Sequence, residues 1–382
     1  MNASRQTAND AITPFTIRVS DEQIADLKER LAMTRWPQQV VTDFTHGQPV
    51  GFIRELAEAW SRFDWRKAEA ELNRHPQFLT EIDGQLIHFL HIRSAEPDAF
   101  PLILTHGWPS SVAEFLDVIG PLTDPKAHGL DASLAFDLVI PSLPGFGWSV
   151  PLQPGWEAAR TAKAWDVLMK RLGYTRYGAQ GGDVGALVGR ELGILAPEGL
   201  VGTHVQQIFA FPSGAEGEME GLSPFEQEGF ASLDMFQKYA GYADIQSKRP
   251  ATLGYGLVDS PAALLAWNAE LFFGFLGQGE TTADRQRYLT HVSIYWFTGT
   301  GATASEFYFE GAQTGAGYRD VPNPTPTAVA SFPYDFRSVQ NFARRANNIV
   351  QWTEMERGGH FAASEAPDLL VADMRRFFGG LR

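Results

Sequence analysis

The sequence contains no cysteine among its 382 residues. This absence excludes disulfide bonds, thiolate zinc sites and cysteine nucleophiles. It agrees with the reducing environment of the cytoplasm, where we expect the protein to be located.

The sequence also lacks the common signals for membrane or nucleic-acid binding. The N-terminus, MNASRQTANDAITPF, has neither the basic region nor the apolar core of a secretory signal, and no apolar run approaches the ~18 residues of a membrane span. The formal net charge of −14 disfavours contact with nucleic acid or anionic lipid. We therefore expect a soluble protein with no membrane anchor and no nucleic-acid partner.

No pattern of metal or cofactor ligands is visible. The nine histidines are scattered, and His88 and His91, three apart in a predicted strand, point to opposite faces. The segment GTGATA, residues 299–304, superficially matches a dinucleotide-binding fingerprint but lies outside any strand–helix–strand unit. We expect the protein to need no metal and no cofactor.

The composition is that of a globular protein rich in aromatic residues. Hydrophobic residues make up 44% of the chain and charged residues 20%, with 27 Phe, 10 Trp and 10 Tyr. A chain of this length forms two domains, or one domain with a large insertion.

Helices and a hairpin are predicted in the first quarter of the chain. Residues 20–35 carry apolar side chains at helical intervals, and Ser20 and Gln23 have the spacing of a capping box. A second helix is predicted over residues 52–60, with further helical residues to about 72. Two β-rich runs separated by Asp83 and Gly84 predict a β-hairpin.

Strands and helices then alternate to about residue 206. The apolar runs PLILTHG, FDLVIPSLPG, YTRYGAQ and GLVGTHVQQ predict buried strands, and residues 158–172 and 183–197 predict helices. Such alternation is typical of an α/β fold with a mostly parallel sheet and helices on both faces.

Residues 207–321 interrupt this alternation. They are rich in helix-like aromatic segments and have no clear strand pattern, whereas strands and a closing helix follow the segment PNPTP. We predict a helical cap inserted between two late strands of one core. The predicted organisation is an N-terminal helical meander (1–77), the first part of the core (78–206), the cap (207–321) and the second part of the core (322–382).

The segment YGAQGGDVGALVGREL predicts a strand, a tight turn and a helix, with Asp183 at the tip of the turn. Many hydrolases place a nucleophilic serine at such a tip. Asp183 is either a nucleophile in the same place or a cap of the following helix. No G-x-S-x-G motif occurs anywhere in the chain, so no serine elbow competes with Asp183.

Further motifs favour the nucleophile. The segment THGWP follows a buried strand, where a backbone oxyanion donor is expected, and the N–H groups of Trp108 and Val184 form the natural pair. His360, in RGGHFAASEAP, lies in a loop between the last strand and the last helix, and Asp335, in SFPYDF, follows the preceding strand. Asp335 is therefore placed to orient His360.

Two other acidic residues are weaker candidates for orienting His360. They lie in or beside the last predicted strand: Glu354 and Glu356.

A carboxylate nucleophile restricts the chemistry. Attack on an ester or peptide gives an anhydride that reverts readily, whereas attack on an sp³ carbon with a strained or good leaving group gives a stable alkyl ester. A histidine-activated water can then hydrolyse that ester. This limits the substrates to epoxides and alkyl halides, and an epoxide also needs a proton donor such as tyrosine.

Seven motifs together resemble those of the microsomal-type epoxide hydrolase family, which has the α/β-hydrolase fold. The similarity covers nearly the whole chain. The motifs are SDEQIADLKERLAMTRWP, HGWP, PSLPGFGWS, QGGDVG, YADIQSKRPATLGYGLVDSPAALLAW, YWFTGT and RGGHFAA.

The resemblance implies a role for each site residue. It implies Asp183 as the nucleophile, His360 as the general base and Asp335 as its acidic partner. Two cap tyrosines, Tyr242 and Tyr308, match the positions that bind and protonate the epoxide oxygen.

Other readings of the tyrosines stay open at this point. Tyr242 and Tyr308 could instead be packed cap residues. Three other tyrosines compete with them in the sequence: Tyr239, Tyr255 and Tyr295.

The chain departs from the family in two respects. Family members often have Trp after the nucleophile, whereas Val184 stands here, which reshapes the pocket but keeps the N–H donor. Mammalian members carry an N-terminal membrane anchor, which we do not expect here.

The sequence thus predicts an epoxide hydrolase that converts an apolar or aryl epoxide and water to a vicinal diol. A haloalkane dehalogenase with the same nucleophile is the alternative, and a non-catalytic ligand-binding homologue is a third reading. Whether the meander wraps its own core or reaches a second subunit of a homo-oligomer is open. The candidate substrate-lining residues are Trp108, Phe209, Phe211, Trp267, Phe272, Phe273 and Trp296.

Overall fold

The central element is a sheet of nine strands in a computed structural model, which describes residues 10–274 and 284–381. Its strand order is β1-β2-β3-β5-β4-β6-β7-β8-β9. The strands are β1 (Thr13–Phe15), β2 (Gln77–Ile82), β3 (Gln85–Ile92), β4 (Phe100–Thr105), β5 (Phe136–Pro141), β6 (Tyr177–Gly181), β7 (Leu200–Val205), β8 (Asn323–Ser331) and β9 (Asn347–Glu354).

Most strand pairs in the sheet are parallel. From β5 to β9 every pairing is parallel, whereas β1, β2, β3 and β5 pair antiparallel in that order. The mostly parallel sheet predicted from the alternating pattern is therefore confirmed. Parallel strands end at the same edge of a sheet, so the loops after β4, β6, β8 and β9 can meet there.

The predicted hairpin joins β2 and β3. Ile82 pairs with Gln85, and the two turn residues, Asp83 and Gly84, have φ angles of 50° and 76°. Positive φ at both central residues is the requirement of a type I′ turn, which Asp-Gly satisfies. β1, which the sequence did not indicate, pairs with β2 at the edge of the sheet.

From residue 10 onward, three α-helices precede the hairpin: α1 (Asp21–Ala32), α2 (Val50–Ser61) and α3 (Trp65–Leu72). The predicted capping box is present, since the Ser20 side chain accepts from the N–H of Gln23 and the Gln23 side chain accepts from the N–H of Ser20. The indole of Trp60 donates to the Ser293 hydroxyl at 2.8 Å, so the N-terminal region contacts a cap helix of its own chain.

Core helices cover both faces of the sheet. Alternate β4 residues pack to opposite sides: Ile103 joins the apolar cluster that contains Trp165 and Leu192, and Leu102 joins the cluster that contains Leu122 and Met374. The helices are α4 (Leu116–Thr123), α5 (Ala158–Arg171), α6 (Val184–Leu195), α13 (Gln340–Ala343), α14 (Ala362–Glu365) and α15 (Pro367–Gly379).

Among the residues that the structure describes, six α-helices lie between β7 and β8, in the segment that the sequence predicts as a cap. They are α7 (Pro224–Tyr239), α8 (Gly241–Lys248), α9 (Pro250–Asp259), α10 (Pro261–Phe272), α11 (Arg285–Thr298) and α12 (Gly301–Thr314). None of the helices in the described ranges is both long and apolar enough to cross a bilayer.

Candidate active site

Asp183 occupies a strained turn between β6 and α6. Its φ of 52° and ψ of −125° are unusual for a residue with a side chain. A Cβ atom at Gly185 would overlap the Thr105 carbonyl, and one at Gly107 would overlap Oδ1 of Asp183. The glycines therefore permit the close approach of the two loops. The Asp183 side chain makes no capping hydrogen bond to α6, which argues against the helix-cap alternative.

The two carboxylate oxygens of Asp183 face different partners. Oδ1 accepts from the N–H of Trp108 at 2.9 Å, and Oδ2 lies 3.6 Å from Nε2 of His360. Burial raises the pKa of Asp183, while the nearby His360 and the N–H groups of Val184 and Trp108 oppose this rise. Oδ1 is thus held by the N–H of Trp108, and Oδ2 is directed toward His360.

His360 is held by Asp335. Nδ1 of His360 lies 2.8 Å from Oδ1 of Asp335, and the segments that carry them are joined by a bridge between Tyr334 and Gly359. Burial lowers the pKa of His360, but the charge of Asp335, its hydrogen bond and the charge of Asp183 raise it to about 9. With Asp335 on Nδ1, the Nε2 atom faces Asp183.

The two weaker acid candidates lie outside this contact. Oε1 of Glu354 accepts from the Ser223 hydroxyl at 3.0 Å, and Glu356 is exposed.

Two tyrosines of the segment predicted as a cap lie over Trp108, in the loop that follows β4. The ring of Tyr242, on α8, stacks on Trp108 with centroids 4.7 Å apart, and that of Tyr308, on α12, meets Trp108 edge-on at 6.0 Å. Burial, and then the charge of Asp183, raise the pKa of each tyrosine well above 10. Both hydroxyls are therefore protonated at neutral pH, and a hydrogen bond from Tyr308 partly offsets the rise at Tyr242.

The three other candidate tyrosines do not share the contacts that Tyr242 and Tyr308 make with Trp108. The hydroxyl of Tyr295 donates to the Ser110 carbonyl at 2.9 Å, Tyr255 is 82% exposed, and Tyr239 contacts Lys238.

The aromatic residues proposed to line the site fall into two groups. Phe209 lies 4.8 Å from Phe336, the neighbour of Asp335, and Phe272 stacks at 3.9 Å on Phe361, the neighbour of His360. Phe211 lies 6.0 Å from Phe336 and is partly exposed.

The other group contacts the cap interior or the N-terminal helices. The Trp267 indole donates to Gln246 at 2.8 Å within the cap. Phe273 packs on Phe52, and Trp296 packs on Trp60.

The sequence did not single out two buried residues beside the catalytic candidates. Gln207 connects Asp183 with Asp335 through its side-chain amide. Glu114 contacts the hydroxyl of Ser110, two residues after Trp108. Burial raises the pKa of Glu114 to about 7, although the Ser110 hydrogen bond opposes this. Neither belongs to a recognisable motif, so the sequence carried no signal for them.

Two sequence comparisons place the chain among known proteins. The family model described as the epoxide hydrolase N terminus matches residues 12–115. Epoxide hydrolase 1 of Oryctolagus cuniculus is 33% identical over 97% of this chain and 89% of its own length. The chain belongs to the epoxide hydrolase family. A relative from Stigmatella aurantiaca, provisionally named an epoxide hydrolase, is 44% identical over 97% of this chain and 86% of its own length.

Solved structures agree with this assignment. This epoxide hydrolase matches the juvenile hormone epoxide hydrolase of Bombyx mori with a TM-score of 0.87 and 27% identity, covering 97% of this chain and 95% of that one. It matches the Aspergillus niger epoxide hydrolase with a TM-score of 0.86 and 33% identity, covering 97% of each chain. The predicted family, enzyme class and α/β-hydrolase fold are therefore confirmed.

Proposed function

We propose that this epoxide hydrolase converts an epoxide to a vicinal diol through a covalent alkyl ester on Asp183. The observation that carries the proposal is that the two carboxylate oxygens of Asp183 have different partners. Trp108 holds Oδ1 at 2.9 Å, whereas Oδ2 lies on the side of His360. Oδ2 is thus the attacking oxygen, and Oδ1 is the oxygen on which charge develops when the ester is hydrolysed.

Ring opening uses Asp183 and the cap tyrosines. Oδ2 attacks an epoxide carbon from the side opposite the C–O bond, which breaks and leaves its electron pair on oxygen. That alkoxide is strongly basic, so it takes a proton from Tyr242 or Tyr308, both of which are protonated at neutral pH because burial raises their pKa values. The products of this step are an alkyl ester, a hydroxyl and a tyrosinate.

Loss of the Asp183 charge prepares His360 for the second step. In the resting enzyme, Asp335 and Asp183 help raise the pKa of His360 to about 9 against the effect of burial, so the ring is an imidazolium. Esterification neutralises Asp183 and thereby lowers this pKa. The imidazolium then gives up the proton that restores the tyrosinate to tyrosine, and His360 becomes a neutral base.

Ester hydrolysis regenerates the enzyme. His360 removes a proton from water, and the hydroxide attacks the ester carbonyl carbon, Cγ of Asp183. The negative charge on Oδ1 is stabilised by the N–H groups of Trp108 and Val184. Collapse of this intermediate releases the diol, which takes up the proton of the newly formed carboxyl group, and leaves an Asp183 carboxylate beside an imidazolium.

The aromatic surroundings favour an apolar or aryl epoxide as the substrate. Trp108, Tyr242 and Tyr308 present ring faces and edges to the same site, with centroids 4.7–6.3 Å apart.

A matched pair of substrates tests the reaction class. An aryl epoxide and the corresponding alkyl bromide share one apolar group and differ in the leaving group. We expect diol formation from the epoxide to be faster than halide release from the bromide, because the two tyrosines supply protons that a halide does not need. Faster halide release would indicate a dehalogenase. No product from either substrate would indicate a non-catalytic homologue.

A further inference from the structure

Gln207 links the proposed nucleophile to the acid that orients the proposed base. It lies two residues beyond β7 and its side chain is 1% exposed. Oε1 accepts from the backbone N–H of Asp183 at 2.9 Å, and Nε2 donates to Oδ2 of Asp335. One side chain therefore contacts both ends of the proposed Asp183–His360–Asp335 system.

The chemistry of these two contacts fixes the orientation of the amide. The backbone N–H of Asp183 requires an acceptor, and an ionised Asp335 carboxylate requires a donor. An amide supplies both from one uncharged group. A carboxylate at the same place could accept the hydrogen bond from the backbone N–H of Asp183, but its negative charge would repel the carboxylate of Asp335.

Gln207 completes the hydrogen bonding of the Asp335 carboxylate. Oδ1 of Asp335 receives hydrogen bonds from Nδ1 of His360 at 2.8 Å and from the N–H of Phe336 at 2.7 Å. Oδ2 receives one from Gln207. The Asp335 side chain is 3% exposed, so an unpaired Oδ2 would be costly and the carboxylate could rotate to satisfy it.

The second contact acts on Asp183. The residue has a φ of 52°, and its N–H is held by Oε1 of Gln207. Residues in such backbone conformations persist where the surrounding contacts enforce them. Gln207 thus holds the turn from which the carboxylate of Asp183 extends.

We propose that Gln207 is a positioning residue that keeps Asp183 and the His360–Asp335 pair in a fixed mutual arrangement. The proposal rests on the proposed function, because it assigns Gln207 a role through those three residues. The Gln207 amide contacts the carboxylate of Asp335 and the backbone N–H of Asp183, and His360 lies on the far oxygen of Asp335. Buried Glu365 also interacts with Asp335 and His360.

Two substitutions separate hydrogen bonding from packing. In Gln207→Glu, the introduced carboxyl reproduces both hydrogen bonds when it is protonated, since its O–H can donate to Asp335 and its C=O can accept from Asp183. When it is ionised, it repels Asp335. In Gln207→Met, a side chain of similar length makes neither hydrogen bond at any pH.

The test compares kcat of both variants with that of the wild type at each pH from about 5 to about 9, a range that includes the raised pKa of a buried carboxyl. At the acid end we expect Gln207→Glu to approach the wild type and Gln207→Met to be about 10–100-fold slower, as for other residues that orient catalytic groups. The activity of Gln207→Glu relative to the wild type should then fall as the pH rises. If Gln207 served only to fill space, the activity of Gln207→Glu relative to the wild type would not change with pH.

Three results would overturn the proposal. Gln207→Met with the wild-type kcat would do so. The proposal would also be overturned if, at the acid end of the range, kcat of Gln207→Glu were no higher than that of Gln207→Met. It would be overturned as well if kcat of Gln207→Glu relative to the wild type rose with pH. Gln77→Glu is the matched control, because Gln77 is also buried but hydrogen-bonds to His88 away from Asp183. Whatever stability this control loses, its pH profile should be that of the wild type.

Mass analysis separates this proposal from the one on which it rests. Mixing the His360→Gln variant with a single equivalent of epoxide and quenching should give an adduct on the peptide that contains Asp183, because this variant forms the ester but hydrolyses it slowly. If no adduct forms, the proposed function fails. If the adduct forms and the Gln207 variants behave like the wild type, only the role of Gln207 fails.

Discussion

Nε2 of His360 lies 3.6 Å from Oδ2 of Asp183, while Nδ1 of the same ring contacts Asp335 at 2.8 Å. The distance from Nε2 to Asp183 exceeds that of a hydrogen bond, whereas the distance from Nδ1 to Asp335 is within the hydrogen-bonding range. The ring is therefore held from the Asp335 side and faces Asp183 without being bound to it. This is the arrangement expected of a base that acts on water beside Asp183 rather than on Asp183 itself.

Removing the base should trap the ester. In His360→Gln, Asp183 can still open the ring, but water is no longer activated, so hydrolysis should slow by about 10²–10⁴-fold. Quenched mixing with epoxide, followed by intact-mass measurement, should show one equivalent of adduct that decays slowly. Asp183→Asn is the control and should form no adduct. Rapid diol turnover by His360→Gln would contradict the role of His360.

The two chemical steps should respond differently to pH. The pKa of His360 is raised to about 9 in the resting enzyme, where burial is outweighed by Asp335 and Asp183. In the ester the Asp183 charge is gone, so this pKa should fall, and hydrolysis requires the neutral ring. Decay of the preformed ester should thus quicken with rising pH and level off, with its midpoint clearly below 9. A midpoint at or above 9 would show that esterification leaves His360 unchanged.

Each cap tyrosine should matter for ring opening and not for ester hydrolysis. Tyr242→Phe and Tyr308→Phe each remove one hydroxyl while keeping the ring contact with Trp108. Each should slow ester formation by about 10–100-fold, and the double variant should slow it further, since proton donation contributes about 10²–10⁴-fold in total. Stopped-flow measurement of the alkylation phase checks this.

The matched control for the tyrosines is Tyr255→Phe, because Tyr255 is an exposed cap residue. It should have the wild-type rate. Unchanged alkylation in both Tyr242→Phe and Tyr308→Phe would refute their assignment as proton donors.

Glu114 should make stability depend on pH near neutrality. Burial raises its pKa from 4.5 to about 7, so the folded protein binds this proton more tightly than the unfolded chain does. The resulting stabilisation is complete below pH 4.5 and is lost as the pH rises to about 7. Glu114→Gln mimics the protonated form at every pH, and should gain up to about 3 kcal/mol relative to the wild type over that interval.

Unfolding midpoints of both proteins at several pH values measure this difference. Glu29→Gln is the control, because Glu29 is exposed on α1. Its midpoint should follow the wild type throughout. If the unfolding midpoints of Glu114→Gln and the wild type differed by the same amount at every pH, Glu114 would already be ionised in the acid range.

Local sequence patterns predicted the elements that carry the candidate catalytic residues. The strand–turn–helix pattern around Asp183 lies within a few residues of β6 and α6, because glycines and apolar periodicity act over short distances. The loops of Asp335 and His360 follow β8 and β9, which are adjacent parallel strands. Their proximity follows from a rule of sheet topology rather than from any feature of the two loops themselves.

Contacts that depend on side-chain packing could not be predicted. Gln206 and Gln207 are adjacent and chemically identical, yet only Gln207 reaches Asp335. Likewise, Phe272 stacks beside His360, whereas Phe273 faces an N-terminal helix. β1 escaped prediction because three residues are too few for a periodic signal.

A single turnover in water enriched in ¹⁸O tests the central claim, the covalent ester on Asp183, most directly. The enzyme is used in excess over the epoxide, and the peptide that contains Asp183 and the diol are both analysed by mass spectrometry. In the proposed mechanism water attacks Cγ of Asp183 and not the substrate carbon, so the solvent oxygen should appear in the Asp183 carboxylate, and the first diol formed should be unlabelled. Label found in the diol and absent from Asp183 would mean that water attacks the epoxide directly.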